Sequence, residues 1–62
     1  MKVRDVIRRL EKDGWYHVRT RGDHRHYMHE KKPGLVTVSG HRSDDIPLGT
    51  LKSIYQQAGW EG

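Results

Sequence analysis

The segment WYHVRTRGDHRHYMHE, residues 15–30, decides the fold, because it contains two strand-forming runs separated by a turn signal. Aromatic and β-branched residues are frequent in residues 15–20, and the triplet Arg21-Gly22-Asp23 that follows them is typical of a turn. Residues 24–30 follow this turn and are predicted as a second strand. The segment therefore predicts an antiparallel β-hairpin.

The chain after the hairpin predicts one more strand. Residues 31–34 read Lys-Lys-Pro-Gly, in which the proline fixes φ and Gly34 permits a positive φ, so we expect a turn there. The short run of residues 35–39 then predicts a third strand, and the polar residues 40–45 predict a loop.

Amphipathic helices are predicted on both sides of these strands. Apolar residues recur with the spacing i, i+3, i+4, i+7 at Val3, Val6, Ile7 and Leu10, and again at Leu51, Ile54, Tyr55 and Ala58. We expect the first helix over residues 3–13 and the second over residues 47–58. Gly59 should end the second helix, with Trp60 folding back onto Tyr55.

The predicted fold class is α+β, with the order α-β-β-β-α in a single domain over residues 1–62. Each helix has one apolar stripe, so both helices should cover the same face of a three-stranded antiparallel sheet and leave the other face open. The expected core residues are Val6, Ile7, Leu10, Leu51, Ile54 and Ala58.

The composition favours a polyanionic partner. Twelve Lys and Arg residues against eight Asp and Glu residues give a formal net charge of +4, and small basic domains commonly bind nucleic acid. The chain has no cysteine, which excludes disulfides and thiolate metal sites and favours the reducing cytoplasm. No apolar run approaches the roughly 20 residues of a membrane span, so we expect no membrane partner.

The histidines of the second predicted strand are the candidate chemical groups. Side chains alternate across a sheet, so His24, His26 and Met28 share one face, and Arg25, Tyr27 and His29 share the other. Neither set is wholly apolar, so the sequence leaves open which set faces inward. Histidine titrates near neutral pH, and it can therefore take a proton from an RNA 2′-hydroxyl and return one to a leaving oxygen.

Basic residues surround these histidines. Arg19, Arg21 and Arg25 lie in the same hairpin as His24 and can stabilise the charge that develops on a phosphate. Together with the lysines of the following turn they predict an RNA-binding surface. Its members are Arg19, Arg21, Arg25, Lys31 and Lys32.

Other interpretations of the same residues stay open. His24, His26 and His17 can be drawn as ligands of one metal ion, although no carboxylate is placed as a further ligand. Thr50 and the free backbone N–H groups of the second helix can hold an RNA phosphate, or Asp44 and Asp45 can simply cap that helix. The histidines can also be an exposed polar face without a role. No motif for a nucleophilic serine is present.

Three stretches of the chain together resemble the HicA toxin family. Residues 22–27, Gly-Asp-His-Arg-His-Tyr, resemble its signature of glycine, a small polar residue, histidine, two variable residues and an aromatic. Residues 46–54, followed by the Gln-Ala-Gly of residues 57–59, resemble its C-terminal helix with a Pro-x-Gly-Thr-Leu opening. Residues 3–7 and 14–15 fit its first helix and first strand, so the resemblance covers essentially the whole chain.

The resemblance implies a fold similar to double-stranded-RNA-binding domains and an activity as a metal-independent endoribonuclease that cleaves mRNA without a cofactor. It also implies that His24 is the catalytic residue and that a HicB-like antitoxin protein covers it. One residue departs from the family pattern, because Asp23 replaces the serine that most often precedes the histidine. An acidic side chain there can orient the ring of His24 or repel RNA phosphate.

Three classes of function remain to be separated. The first is an endoribonuclease toxin in which His24 is the general base and His26 or His29 is a proton donor. The second is a non-catalytic RNA-binding module with the same fold. The third is a domain that binds DNA or protein, and it should show no preference for RNA over DNA because it need not contact the 2′-hydroxyl.

Overall fold

The computed structural model describes residues 1–60 and has the predicted order of elements. Helix α1 spans Val3–Lys12, the strands are β1 (Tyr16–Arg21), β2 (His24–Met28) and β3 (Val36–Ser39), and helix α2 spans Leu48–Ala58. The predicted boundaries differ from these by one or two residues at most. The α-β-β-β-α order and the α+β class are therefore confirmed.

Helix α1 is defined by its apolar stripe and by a carboxylate in its first turn. The side chain of Asp5 accepts a hydrogen bond from the backbone N–H of Lys2 at 3.2 Å, which satisfies a donor at the helix start. The buried residues of the helix are Val3, Val6, Ile7 and Leu10. Gly14 adopts a φ of 98° directly after the helix and lets the chain turn into β1.

The sheet has the strand order β1-β2-β3, and both pairs are antiparallel. Tyr27 on β2 pairs with Val36 on β3, and both side chains are buried together with Val38. These residues join the buried residues of α1 and α2 in one cluster, so both helices cover the same face of the sheet as predicted. Every residue of β1 is exposed, which places β1 outside the helical cover.

Helix α2 ends as the sequence predicts. Gly59 has a φ of 74°, and the backbone N–H of Trp60 donates to the carbonyl of Tyr55 at 2.9 Å. The rings of Tyr55 and Trp60 meet edge to face, with centroids 5.3 Å apart. The prediction for Leu51 was too strong, since this side chain is only partly buried at the margin of the core while Ile54 and Ala58 are fully covered.

Several core residues lie outside the predicted set. The indole of Trp15 is 2% exposed and is the largest of the fully buried side chains. The sheet contributes Tyr27, Val36 and Val38, and the loop before α2 contributes Ile46. The strand residues of this set have no local signal in the sequence, because the inward face of a strand depends on its register, and Ile46 lies outside both helical stripes.

The carboxylate of Asp13 joins four segments of the chain. Its Oδ2 atom accepts hydrogen bonds from Lys32 Nζ at 2.7 Å, from Trp60 Nε1 at 3.0 Å and from Trp15 Nε1 at 3.1 Å. The Lys32 ammonium and the two indole N–H groups favour the charged form and lower the pKa of Asp13 from 3.8 to about 2. The end of α1, the start of β1, the turn after β2 and the end of α2 therefore meet at one oxygen.

We predict that Asp13→Asn destabilises the protein by about 1–2 kcal/mol at pH 7, since a neutral amide accepts these hydrogen bonds more weakly and the side chain is partly solvated. The folded-state pKa lies below the unfolded value, so the stabilisation is present above about pH 4 and is lost as the pH falls towards 2. Urea denaturation between pH 2 and pH 7 measures both effects.

Asp45→Asn is a matched control, because Asp45 forms an exposed ion pair with Lys2 that should contribute little. The Asp13→Asn variant should also lose part of the wild-type decline in stability between pH 4 and pH 2. Equal stability of the Asp13 and Asp45 variants would show that the Asp13 cluster does not hold the fold together.

Candidate active site

The candidate site lies on the open face of the sheet, the side opposite the two helices. Because Tyr27 is buried against the helices, its neighbours in β2 must point the other way. His24, His26 and Met28 therefore share the open face, and the choice that the sequence left unresolved is decided by Tyr27. His24 is exposed there and Met28 is 42% exposed, whereas His26 between them is half-buried.

A β-bulge in β1 brings two arginines to the same face. The register pairs Arg21 with His24 and Arg19 with His26, and it shifts between His17 and Arg19. In a regular strand His17 and Arg19 would share a face, because they are two residues apart. The bulge accommodates Val18 as an extra residue between them, so the two side chains lie on opposite faces. The open face thus carries two arginine–histidine rows, each made of two cross-strand neighbours. One row is Arg19 with His26, and the other is Arg21 with His24.

His24 forms an ion-pair contact with the residue before it. Its Nδ1 atom lies 3.1 Å from Oδ1 of Asp23, and both side chains are more than half exposed. A carboxylate can only accept a hydrogen bond, so Nδ1 carries the proton in this contact. Nε2 is then the ring nitrogen available for proton transfer, and no hydrogen bond within residues 1–60 engages it.

His26 occupies the middle of the open face. Its Nδ1 atom lies 3.1 Å from the hydroxyl of Thr37 on β3, and the residue is half-buried. Burial lowers the pKa of His26 below its usual value of 6.5, and the positive charges of nearby groups lower it further. These groups are Arg19, His24, Arg21 and His17.

The other histidines are placed differently. His29 lies near the core, where Nε2 bonds the carbonyl of Asp13 at 2.7 Å and Nδ1 accepts the backbone N–H of Lys31 at 3.0 Å. Both ring nitrogens are thus used within the protein, and His29 is not available as the proton donor that the sequence allowed. His17 points to the helix side, against the hydroxyl of Thr20 and the ring of Tyr27.

The structure brings only some of the predicted basic residues together. Arg19 and Arg21 lie beside the two open-face histidines. Arg25 points to the opposite face and donates to the carbonyl of Gly40 at 2.9 Å. Lys32 is held by Asp13 and by the carbonyl of Ala58, at the end of the sheet away from His24.

Lys31 and Thr50 are exposed but lie apart from the histidine rows. Lys31 is in the turn between β2 and β3, and Thr50 is in the first turn of α2. No hydrogen bond in the described part of the chain joins Thr50 to His24. The residues that the structure brings together are therefore Asp23 and the two arginine–histidine rows.

A three-ligand metal site does not form in residues 1–60. No group of three or more His, Asp, Glu or Cys side chains in this range lies close enough to hold one ion. The bulge explains why His17, His24 and His26 do not converge, because it turns His17 away from the other two.

The comparison with known families identifies the chain. A family model described as "HicA toxin of bacterial toxin-antitoxin" matches residues 3–60. The chain belongs to the HicA toxin family. It is thus the toxin of a toxin–antitoxin system, and its partner is the cognate antitoxin.

Two further findings bear on this HicA protein. No curated protein matches the chain. Within residues 1–60, no helix is both long enough and apolar enough to cross a membrane.

Sequence reasoning missed two contributors to this site. Thr37 fixes the ring of His26, and its position could have been found only by knowing the register of β2 against β3. The bulge was also missed, because the sequence between His17 and Arg19 contains only Val18 and no glycine to mark an irregular strand.

We predict that the His26 ring titrates below pH 6.5 and that Arg19→Gln moves its midpoint upwards, because one nearby positive charge is removed. NMR titration of the ring protons measures the midpoint. Lys31→Gln, a change of equal charge in the turn at the other end of β2, serves as the control. A midpoint that does not respond to Arg19→Gln would contradict this electrostatic assignment.

Proposed function

We propose that this HicA protein is an endoribonuclease that cleaves mRNA without a metal, with His24 as the general base. The observation that supports this most directly is an exposed histidine whose ring is oriented by Asp23 on a basic, uncovered sheet face. The proposed reaction uses the RNA's own 2′-hydroxyl as the nucleophile, so the protein needs to supply proton transfer and positive charge only.

Asp23 gives His24 the arrangement that a general base requires. The carboxylate accepts the Nδ1 proton and thereby leaves the lone pair on Nε2 free to receive the proton of the 2′-hydroxyl. The imidazolium that forms is then stabilised by the adjacent negative charge. The acidic residue that departs from the family pattern thus supports the proposed role, and the neighbouring arginines offset its repulsion of phosphate.

Arg19 and Arg21 supply the positive charge. They are the cross-strand neighbours of His26 and His24, so a phosphate that reaches His24 lies among guanidinium groups that bind phosphate oxygens well. The negative charge on the phosphate increases as the 2′-oxygen attacks, and these groups stabilise it. Lys31, exposed in the turn after β2, extends the proposed RNA surface along the sheet.

The test compares wild type with His24→Ala on ordinary RNA and on RNA methylated at the 2′-oxygen. Wild type should leave a 2′,3′-cyclic phosphate and a 5′-hydroxyl. The His24 variant should cleave about 10²- to 10⁴-fold more slowly, which is the usual contribution of a general base. Methylated RNA should not be cleaved by either protein, because it lacks the nucleophile.

His41→Ala is the matched control, since His41 lies in the loop after β3 and outside the histidine rows. RNA binding by His24→Ala should stay close to wild type, with circular dichroism confirming the fold. Full activity of the His24 variant, or cleavage of methylated RNA, would rule out this mechanism. Binding of RNA by wild type without any cleavage would favour the non-catalytic RNA-binding module instead.

We further propose that the antitoxin is HicB-like and acidic and that it covers the open face in the cytoplasm, where mRNA is accessible. The face is basic, exposed and already contains His24, so a partner bound there excludes RNA directly. Hydrogen–deuterium exchange on the complex should show protection in β1 and β2. Protection confined to the outer surface of α1, with β1 and β2 unchanged, would contradict direct blocking.

A further inference from the structure

The five histidines of the chain divide into two on the open face and three elsewhere. His29 is occupied through both ring nitrogens, His17 faces the helix side, and His41 is in a loop. Only His24 and His26 share the basic face with Arg19 and Arg21. His24 has the proposed role of base, and His26 is the remaining one of the two proton donors that the sequence allows.

We propose that His26 is the general acid of the reaction and donates a proton to the 5′-oxygen as that oxygen leaves the phosphorus. The proposal rests on RNA cleavage by His24 as the proposed function. It assigns the second proton transfer, which the base alone does not provide.

The spacing of the two histidines suits the reaction. Alternate residues of a strand point to the same face with Cα atoms about 6.6–6.8 Å apart, which is the Cα separation expected for His24 and His26. The attacking and leaving oxygens lie roughly in line on opposite sides of the phosphorus. Two ring nitrogens that each reach an oxygen at about 2.6–3.2 Å can therefore flank one phosphate held between them.

The hydrogen-bond partners of the two rings also differ in a way that suits a base at His24 and an acid at His26. Asp23 can only accept, so Nδ1 of His24 keeps its proton throughout. The hydroxyl of Thr37 can either donate or accept, so Nδ1 of His26 keeps a partner at 3.1 Å in whichever protonation state and tautomer the ring adopts. Thr37 thus holds the ring in one orientation while Nε2 loses its proton.

The charges around His26 make its proton easy to transfer. Arg19 and Arg21 on β1 place permanent positive charge near it, and Thr37 is its neutral neighbour on β3. His24 on β2 and His17 on β1 are nearby titratable groups that add positive charge only when they are protonated. In the free protein burial and these nearby charges lower the pKa of His26, which makes its imidazolium a stronger acid. A bound RNA phosphate adds negative charge at the same place and favours protonation before the reaction.

The step balances without any further reactant. The 2′-hydroxyl gives its proton to Nε2 of His24, and the 2′-oxygen forms a bond to phosphorus. The bond between phosphorus and the 5′-oxygen breaks, and that oxygen takes the proton from Nε2 of His26. The products are the cyclic phosphate and the 5′-hydroxyl, and the two histidines then exchange protons with water to return to their starting states.

A substrate with sulfur in place of the bridging 5′-oxygen tests the assignment. A thiol is a much stronger acid than an alcohol, as the cysteine side chain with its pKa of about 8.5 illustrates, so the thiolate leaves without protonation. His26→Ala and His26→Gln should cleave ordinary RNA about 10²- to 10⁴-fold more slowly than wild type. Both variants should cleave the sulfur substrate at close to the wild-type rate. His24→Ala should be slow on both substrates.

The pH dependence gives a second measurement. With ordinary RNA, wild-type kcat/KM should fall as the pH rises and His26 loses its proton, and this fall should disappear with the sulfur substrate. Thermal denaturation confirms that the variants fold, with His41→Ala as control. The proposal is wrong if His26→Ala retains wild-type activity on ordinary RNA, if both His26 variants are equally slow on both substrates, or if the sulfur substrate rescues His24→Ala instead.

Failure of the proposed function gives a different result. If wild type cleaves neither substrate, the proposal that this protein cleaves RNA is wrong, and the role of His26 is wrong with it. If wild type cleaves ordinary RNA and requires His24 but not His26, only the assignment of the acid is overturned.

Discussion

The hydrogen bonds to one carboxylate oxygen of Asp13 are the constraint on which the structure most depends. A chain of 62 residues buries a limited apolar surface, so a shared polar contact between elements matters more than it would in a larger domain. Two indoles and an ammonium group converge on that oxygen at 2.7–3.1 Å. His29 adds a bond to the carbonyl of the same residue. The end of the molecule farthest from the β1–β2 turn is thereby closed.

The residues that stabilise the fold and the residues proposed to act on RNA lie in different parts of the molecule. The core and the Asp13 cluster lie on the helix side and at one end of the sheet, whereas the two arginine–histidine rows lie on the open face towards the other end. Within residues 1–60, no buried polar side-chain atom lacks a hydrogen-bond partner. Because the open face is in contact with solvent, it can carry a concentration of positive charge that a buried site would not tolerate. Its occupants, RNA and antitoxin, compete for the same exposed surface in our proposals.

Most of the fold could be predicted from the sequence because helix periodicity and turn residues are local signals. The stripes of α1 and α2, the closure at Gly59 and the order of the strands all follow from neighbouring residues. The inward face of β2 is not local, since it depends on how Tyr27 meets Val36 across the sheet. For the same reason Arg25, next to His24 in sequence, turns out to bond Gly40 on the opposite face. Neighbouring positions in the sequence are enough to identify β2 as the strand of the candidate site. They do not identify which side chains lie together on the open face.

The bulge between His17 and Arg19 fits one extra residue, Val18, into β1. Side chains in a regular strand alternate with a period of two, so a β1 of this length without the bulge would turn Arg19 and Arg21 towards the helices. A β1 that lacked Val18 would need no bulge, because Arg19 would then follow His17 directly and still lie opposite His26. In related chains, an alignment gap at Val18 is therefore compatible with an intact active face, provided that the bulge is lost with the residue.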